Sequence, residues 1–324
     1  MVKAIRIYEQ GGPDVLRYEE VELPPPGPGE VQIRHHAIGV NFVDVYYRTG
    51  SNAMPQAPFT LGHEGAGEIV ALGEGVSTFR IGDRVAYVRA LGSYTQARNI
   101  EAKVLVPLPD AISCETAAAM MLKGLTAEYL LFRTYQVKPG DMVLVHAAAG
   151  GVGLILCQWA RLLGATVIGT VGSAEKAVLA REAGAHDVIL CREEDFVARV
   201  KEITGGKLCH VVYDGIGKAT FQGSLDCLRP FGLFVSLGSA SGSIDNFNIS
   251  LLAQKGSLFA TRPNLFTHIA DGTRLAAMAR RLIDVVASGQ VKIAIHARHA
   301  LSEAAEAHRA LEARESTGSA VLTP

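Results

Sequence analysis

From about residue 140 the chain alternates short β-branched apolar runs with segments of helical period. Runs at 142–146, 166–171, 186–190, 209–214, 231–237 and 257–261 read as strands, and 151–163, 173–183, 193–203, 218–228 and 245–254 as helices. Six strands joined by crossovers predict a doubly wound parallel sheet. Upstream the pattern differs. Residues 2–9 and 15–22 read as strands flanking Gly11-Gly12-Pro13, and Val31, Ile33, His35 and Ala37 alternate with Gln32, Arg34, His36 and Ile38 before a helical stretch at 42–48. Further strands are expected at 66–71, 84–88 and 103–106, which together suggest a small barrel-like domain. Ser113 is a candidate N-cap, after which Ala117, Met120, Met121, Leu125, Tyr129 and Leu130 follow helical spacing. The tail reads as a helix at 271–287, a strand at 291–295, a helix at 302–314 and an extended piece at 320–322. It is expected to pack back on the N-terminal domain, because a six-strand sheet is complete without it.

The run at 142–146 leads into a Gly-rich turn, Ala147 to Gly153. Against the fingerprint G-x-G-x-x-G the frame is Ala148, Gly150, Gly153, with alanine at the first position. Alanine serves a tight turn there if its φ stays negative, while the second and third positions need close backbone approach to pyrophosphate and close helix packing. The amides of Gly150, Gly151, Val152 and Gly153 and the positive end of the helix would then face a diphosphate.

Length allows two cores in the 324 residues, and 31 basic against 32 acidic residues leave no electrostatic footprint for nucleic acid or an anionic membrane. No signal-peptide core and no run of 18 apolar residues occurs. The five cysteines form no C-x-x-C pair and read as buried thiols in a reducing compartment, so a soluble cytoplasmic protein is expected.

The order of parts, with GHEGAGEI at 62–69, MLKGLTAEYLL at 121–131 and the AAAGGVG turn, resembles the medium-chain dehydrogenase/reductase superfamily. NFVDVYYRTG at 41–50, GSYTQARNI at 92–100, YDGIG at 213–217 and KGSLFATRP at 255–263 extend the likeness over the whole chain, toward zinc-independent NADPH:quinone oxidoreductases related to zeta-crystallin. The resemblance implies an α/β fold: a GroES-like β-rich catalytic domain from 1–123 and 264–324, a Rossmann doubly wound parallel sheet at 124–263, and an active-site cleft between them. It also implies a homodimer through the edges of the Rossmann sheets.

Zinc-dependent members of the superfamily bind their metal through a cysteine where this chain has Asn41, a histidine matching His63 and a cysteine near Met120 and Met121. Only His63 survives, and one imidazole cannot hold zinc. Residues 88–102 contain no cysteine for a structural zinc lobe. His296 and His299, three apart on a strand, point to opposite faces. No metal site is expected, and His63 is expected to form a hydrogen-bonded structural pair with Glu64.

Where NAD-binding units carry an acid at the end of the second strand, this chain has Gly172 and Ser173, with Lys176 in the next helical turn. By resemblance Lys176 meets the 2′-phosphate of NADPH, while Glu175 serves the helix dipole. A tyrosine of the related pattern is replaced by Cys191, and Arg192 is the candidate substitute. The resemblance further assigns cofactor contacts to Asn41, Tyr129, the Gly215-Ile216 turn, Leu237, Gly238, Ser239, Ala240, Arg262, Pro263, Asn264 and Arg314.

A quinone is a strong electrophile whose product oxyanion is stable, so its reduction needs no metal Lewis acid. Asn41 and Tyr46 are the candidates to position substrate through amide and hydroxyl hydrogen bonds, and Lys123 to stabilise charge. Asn41 also suits the cap of the helix at 42–48, and no case for covalent catalysis emerges. NADPH-dependent quinone reduction is the leading expectation. Reduction of activated double bonds in enones or enoyl thioesters is the second, and a non-catalytic crystallin-like NADPH-binding protein the third.

Overall fold

The computed structural model describes residues 1–53, 55–313 and 317–324. The chain divides into two units: Met1–Leu125 with Ile269–Ala287 and Ile293–Pro324, and Thr126–His268 with Ser288–Lys292.

The first unit opens with β1 (Val2–Ile7), β2 (Arg17–Val21), β3 (Glu30–Val40), helix α1 (Phe42–Thr49), β4 (Phe59–Thr60), β5 (Glu64–Leu72), β6 (Arg84–Val88), β7 (Ala97–Glu101) and β8 (Val106–Pro107). Helix α2 (Cys114–Tyr129) begins in this unit, and its last turns belong to the second. The second unit holds β9 (Met142–Val145), α3 (Gly151–Leu162), β10 (Thr166–Val171), α4 (Ala174–Glu182), β11 (Asp187–Leu190), α5 (Phe196–Ile203), β12 (Cys209–Asp214), α6 (Phe221–Asp226), β13 (Leu228–Ser236), α7 (Ser250–Gln254), β14 (Phe259–Thr261) and α8 (Leu265–His268). The tail supplies α9 (Gly272–Ala287), β15 (Ile295–Ala300), α10 (Ala304–Glu312) and β16 (Ser319–Thr323).

In the first unit β2-β1-β4 form one sheet, and β15-β16-β3-β5-β6-β8 a second in which β7 also pairs with β3. The tail thus enters the N-terminal sheet: Ala320, Val321 and Leu322 of β16 pair antiparallel with Val40, Gly39 and Ile38 of β3. Ile5, Ile7, Ile38, Val40, Leu61, Tyr94, Leu301 and Leu322 make one buried cluster there, and Val31, Ile33, Ile69, Val85 and Tyr87 another.

The second unit is a six-stranded parallel sheet in the order β11-β10-β9-β12-β13-β14. Counted from its own first strand this is 3-2-1-4-5-6, the order of dinucleotide-binding sheets, with the direction of winding reversing between β9 and β12. Ligands of such sheets bind beyond the carboxyl ends of the strands at that reversal. Leu144, Ile168, Ile189, Val200, Val212, Leu225 and Phe234 fill its core, each burial worth about 1.5–3 kcal/mol.

Two expected strands lie elsewhere. Instead of 103–106 the strand is β7, and Ala102–Val104 form a 3-10 turn. Only Ile100 of β7 is buried, so no alternation announces it, and its pairing with β3 makes it a strand. Instead of 291–295 the tail strand starts at Ile295. The Gln158 amide donates to Lys292 O at 3.0 Å and accepts from Lys292 N at 2.8 Å, taking the backbone groups a ladder would use. The same clamp holds 288–292 with the second unit.

Candidate active site

The doubly wound sheet gathers several of the sequence-selected residues at its strand ends. Beyond β9 the chain turns at Ala147, which has φ 52°, in the left-handed region; Ala148 keeps a negative φ and is fully buried. The tight turn therefore sits one residue before the first position of the fingerprint frame. It carries about 1 kcal/mol of backbone strain that a glycine would avoid. Gly150 is extended and supplies no capping side chain, so the first-turn amides of α3 take no acceptor from the cap. A Cβ on Gly153 would stand 2.3 Å from Ala147 O and 2.8 Å from Ala148 C and O. Only glycine lets α3 come this close to the turn, as a diphosphate cradle requires.

Beyond β10, Ser173 caps α4 by accepting from Lys176 N at 3.4 Å, and Arg192, at the end of β11, crosses Gly172 with Nε 3.3 Å from where a Cβ would be. Gly172, Ser173, the first turn of α4 that carries Lys176, and the Arg192 side chain thus lie together, with no acid at Gly172 or Ser173, where NAD-binding chains place one. Glu175 is exposed, and a hydrogen bond involving Ser173 lowers its carboxyl below the ordinary range. The Cys191 thiol beside them donates to Val171 O at 3.2 Å.

Beyond β12, the buried Asp214 accepts from Ile216 N at 2.8 Å and Gly217 N at 3.0 Å, folding the Gly215-Ile216-Gly217 turn around its own carboxylate. Leu237 N donates to Asp214 O at 2.8 Å, Ala240 N to Gly215 O at 3.2 Å and Ser241 N to Ile216 O at 2.8 Å, so the loop after β13 lies against that turn. Arg262 ties the same loop to β14, donating to Ser236 Oγ at 2.8 Å, Gly238 O at 3.3 Å and Ser239 Oγ at 2.9 Å. Arg262, Pro263 and Asn264 line a cavity of about 580 Å³ together with Thr134, Leu233 and His268. Tyr129 stacks on His268 with ring centroids 4.5 Å apart, and burial pushes its phenol up. Arg314 lies outside the described residues.

In the first unit Asn41, Lys123 and Glu64 converge. Asn41 Nδ2 donates to Glu64 Oε2 at 2.8 Å, and Lys123 Nζ donates to Asn41 Oδ1 at 2.8 Å and Val40 O at 3.2 Å, standing 3.9 Å from Glu64. Leu122 N also donates to Glu64, at 2.7 Å. Burial raises the Glu64 carboxyl against the pull of Lys123, and burial lowers the Lys123 ammonium against the pull of Glu64. Asn41 does not use its amide to cap α1. Its backbone N–H instead donates to Asp44 Oδ2 at 2.9 Å. Tyr46, half-buried on α1, has its ring 6.3 Å from that of Phe42.

The expected pairing of His63 with Glu64 is corrected. His63 Nδ1 bonds Asp44 Oδ1 at 2.7 Å, whereas Glu64 turns toward Asn41 and Lys123. Neighbouring residues entering a strand point to opposite faces, so the two cannot share partners. Asp44 also accepts from Tyr94 OH at 3.1 Å, and His308 Nε2 lies 3.0 Å from that hydroxyl. Sequence reading missed Asp44, Tyr94 and His308. Asp44 alone carried a signal, as an acid three residues after a candidate cap. Among the described residues no three His, Cys, Asp or Glu side chains form a metal-holding group, and no helix is long and apolar enough to cross a membrane.

Comparison with known proteins agrees with this geometry. Residues 27–139 match the alcohol dehydrogenase GroES-like domain and residues 151–263 the zinc-binding dehydrogenase family. The chain is 50% identical over 325 residues to a quinone oxidoreductase of Pseudomonas aeruginosa, covering 100% of both chains. It is 45% identical over 331 residues to a 2-haloacrylate reductase of a Burkholderia species, covering 100% of this chain and 99% of the other. The crystal structure of Escherichia coli quinone oxidoreductase complexed with NADPH superposes with TM-score 0.97 at 47% identity, covering 99% of this chain and 100% of that one. By fold, by both matched domains and by full-length identity, the chain belongs to the quinone oxidoreductase family of the medium-chain dehydrogenase/reductase superfamily.

Proposed function

We propose that this protein reduces quinones with NADPH. The observation that carries the reading is the pair of strand ends at β9 and β10: a cradle that only Gly153 permits, followed by Ser173, Lys176 and Arg192 where an NAD-binding chain would place an acid. The family's 2-haloacrylate reductase keeps reduction of an activated double bond as the second reading, while relatives of higher identity carry the quinone oxidoreductase name.

When bound, NADPH supplies the two electrons as a hydride. Gly150, Gly151, Val152 and Gly153 with the α3 N-terminus would hold the diphosphate, and Lys176 and Arg192 the 2′-phosphate, Gly172 leaving room for the Arg192 side chain to cross it. Tyr129, Ile216, Leu237 to Ala240 and Arg262 to Asn264 would shape the remainder. Asn41 keeps one amide N–H beyond the one given to Glu64, and that group, with the Tyr46 hydroxyl, orients the quinone. Lys123 acts through Asn41, polarising the amide whose oxygen it holds. Removing Asn41 therefore disturbs two buried charges as well as substrate.

Partners and setting follow the same reading. β14 is a sheet edge, paired on one side only, and Phe259 on it is exposed, which suits pairing with a second copy of the chain. All five cysteines are free, which suits the cytoplasm. Oxidation of NADPH followed against soluble quinones, enones, enoyl thioesters and 2-haloacrylate tests the substrate reading. Turnover is expected to be highest with quinones, and faster reduction of the double-bond substrates would replace it. Sedimentation tests the dimer.

A further inference from the structure

Three turns that this reading gives to the cofactor are joined beneath by one buried chain of hydrogen bonds. His146 follows β9 ahead of the Gly-rich turn, Thr170 is the penultimate residue of β10, and Asp214 ends β12 ahead of Gly215-Ile216-Gly217. His146, Thr170, Asp214 and Ser224 of α6 are all buried. Asp214 Oδ1 holds the amides of Ile216 and Gly217, and Oδ2 accepts the hydroxyls of Thr220 at 2.7 Å and Ser224 at 2.9 Å. Ser224 Oγ is 3.0 Å from His146 Nε2, and Thr170 Oγ1 is 2.9 Å from His146 Nδ1.

The chemistry of these groups gives the chain a direction. A carboxylate only accepts, so the one proton of Ser224 goes to Asp214. The Ser224 oxygen therefore accepts from His146 Nε2–H. In a neutral imidazole protonated at Nε2, Nδ1 accepts, and the donor is the Thr170 hydroxyl. Burial lowers the His146 ring below its ordinary value, with Asp214 pulling the other way, and so favours the neutral form that the chain needs. The backbone repeats the linkage: His146 N donates to Tyr213 O and Ala148 N to Thr170 O, each at 3.0 Å. The Phe196 ring meets the imidazole nearly at right angles, with ring centroids 5.1 Å apart.

We propose that His146, Ser224 and Asp214 are positioning residues for the dinucleotide: the directed chain from Thr170 through His146 and Ser224 to Asp214 holds the three turns in register and so sets cofactor affinity. The proposal rests on the NADPH reading above. It assigns a role to a histidine, a serine and an aspartate that the reading above leaves without one.

Ser224→Ala and His146→Leu cut the chain. NADPH affinity is measured by fluorescence titration and calorimetry, at a temperature where circular dichroism shows each variant folded. Loss of one to two net hydrogen bonds from the support of the turns predicts a rise of about tenfold in Kd. At saturating NADPH, kcat should stay within about twofold of the wild type, the split that separates binding from chemistry. His146→Gln, whose Nε2 can reach Ser224, should recover most of the affinity. An unchanged Kd in folded Ser224→Ala and His146→Leu overturns the proposal, as does a fall in kcat at saturation with Kd unchanged. In the wild type, nitrogen-15 imidazole shifts should report the Nε2–H tautomer between about pH 6 and 8. A Nδ1–H tautomer or an imidazolium there overturns the proposal without any variant. A wild type that binds no NADPH would sink the functional reading instead, and the tautomer would still test the chain.

Discussion

Asp44 of the β-rich unit and Asp214 of the doubly wound unit are both fully buried carboxylates saturated with donors, yet they bring together different things. Asp44 collects Asn41 N, His63 Nδ1 and Tyr94 OH, and through Tyr94 reaches His308 on α10, joining segments up to 264 residues apart. The donors to the Asp214 carboxylate all lie within ten residues of it, and two are the amides of a turn. One carboxylate fastens distant parts of a fold, and the other shapes a loop. The β-rich unit also buries formal charge, with Glu64 and Lys123 beside Asp44. The strand-end turns of the other unit rely on glycines, amides and hydroxyls around the one buried carboxylate of Asp214, with Lys176 half-buried and Arg192 exposed in the segments that follow β10 and β11. Damage to the first network should register as lost stability, and damage to the second as lost affinity.

The largest test of that contrast is Asp44→Ala. It strands the Asn41 backbone amide and takes their carboxylate partner from the His63 imidazole and the Tyr94 phenol, and should cost about 3–5 kcal/mol of stability, read from urea unfolding. A variant as stable as the wild type would dissolve the distinction. Gly153→Ala comes next. The methyl group meets backbone oxygens that cannot step aside, so about 3 kcal/mol, roughly two orders of magnitude in Kd, should be lost from NADPH binding. Calorimetry should show this in a protein whose first unit still melts normally.

Acid sharpens the comparison further. Burial holds His35 and His308, both in the β-rich unit, at about 4. Their folded values lie below the unfolded value near 6.5, so between about pH 6.5 and 4 the unfolded chain binds more protons. Stability should then be lost as the pH is lowered through that range, by up to about 1.4 kcal/mol per pH unit for each histidine. Urea midpoints across that range check the slope, and His308→Gln should reduce it. The smallest effect belongs to the two cations that follow β10 and β11. Lys176→Ala and Arg192→Ala should each weaken NADPH by about 1 kcal/mol, roughly fivefold, and leave NADH unchanged. Equal loss for both cofactors would place these residues away from the 2′-phosphate.

Much of the second unit was legible because its evidence is local. Strand runs at 166–171 and 209–214 coincide with β10 and β12, since a strand buried on both faces reads as a mostly apolar run. The turn from Ala147 to Gly153 was legible for a similar reason: glycine spacing records where backbone must approach backbone. What escaped was the conformation, because nothing in the residue names says that Ala147 rather than Ala148 takes the left-handed turn. In the first unit β7 escaped because it has a single buried side chain and owes its existence to β3. Asn41 illustrates the limit best. Its residue type admitted a cap or a substrate donor, and the structure adds a third use, between Glu64 and Lys123.

The sequence by itself determined the alternation that makes a doubly wound sheet, the glycines of the turn after β9 and the absence of an acid at Gly172 and Ser173 after β10. These are properties of neighbouring residues, written in periods of two and 3.6 and in the steric freedom of glycine. Only the tertiary structure decided that His63 belongs to Asp44, that Lys123 holds Asn41, and that His146 reaches Asp214 through Ser224. A hydrogen bond between residues 78 apart, as between His146 and Ser224, has no local signature. It forms because burial leaves each polar group one partner within reach, and that choice is made by the packing.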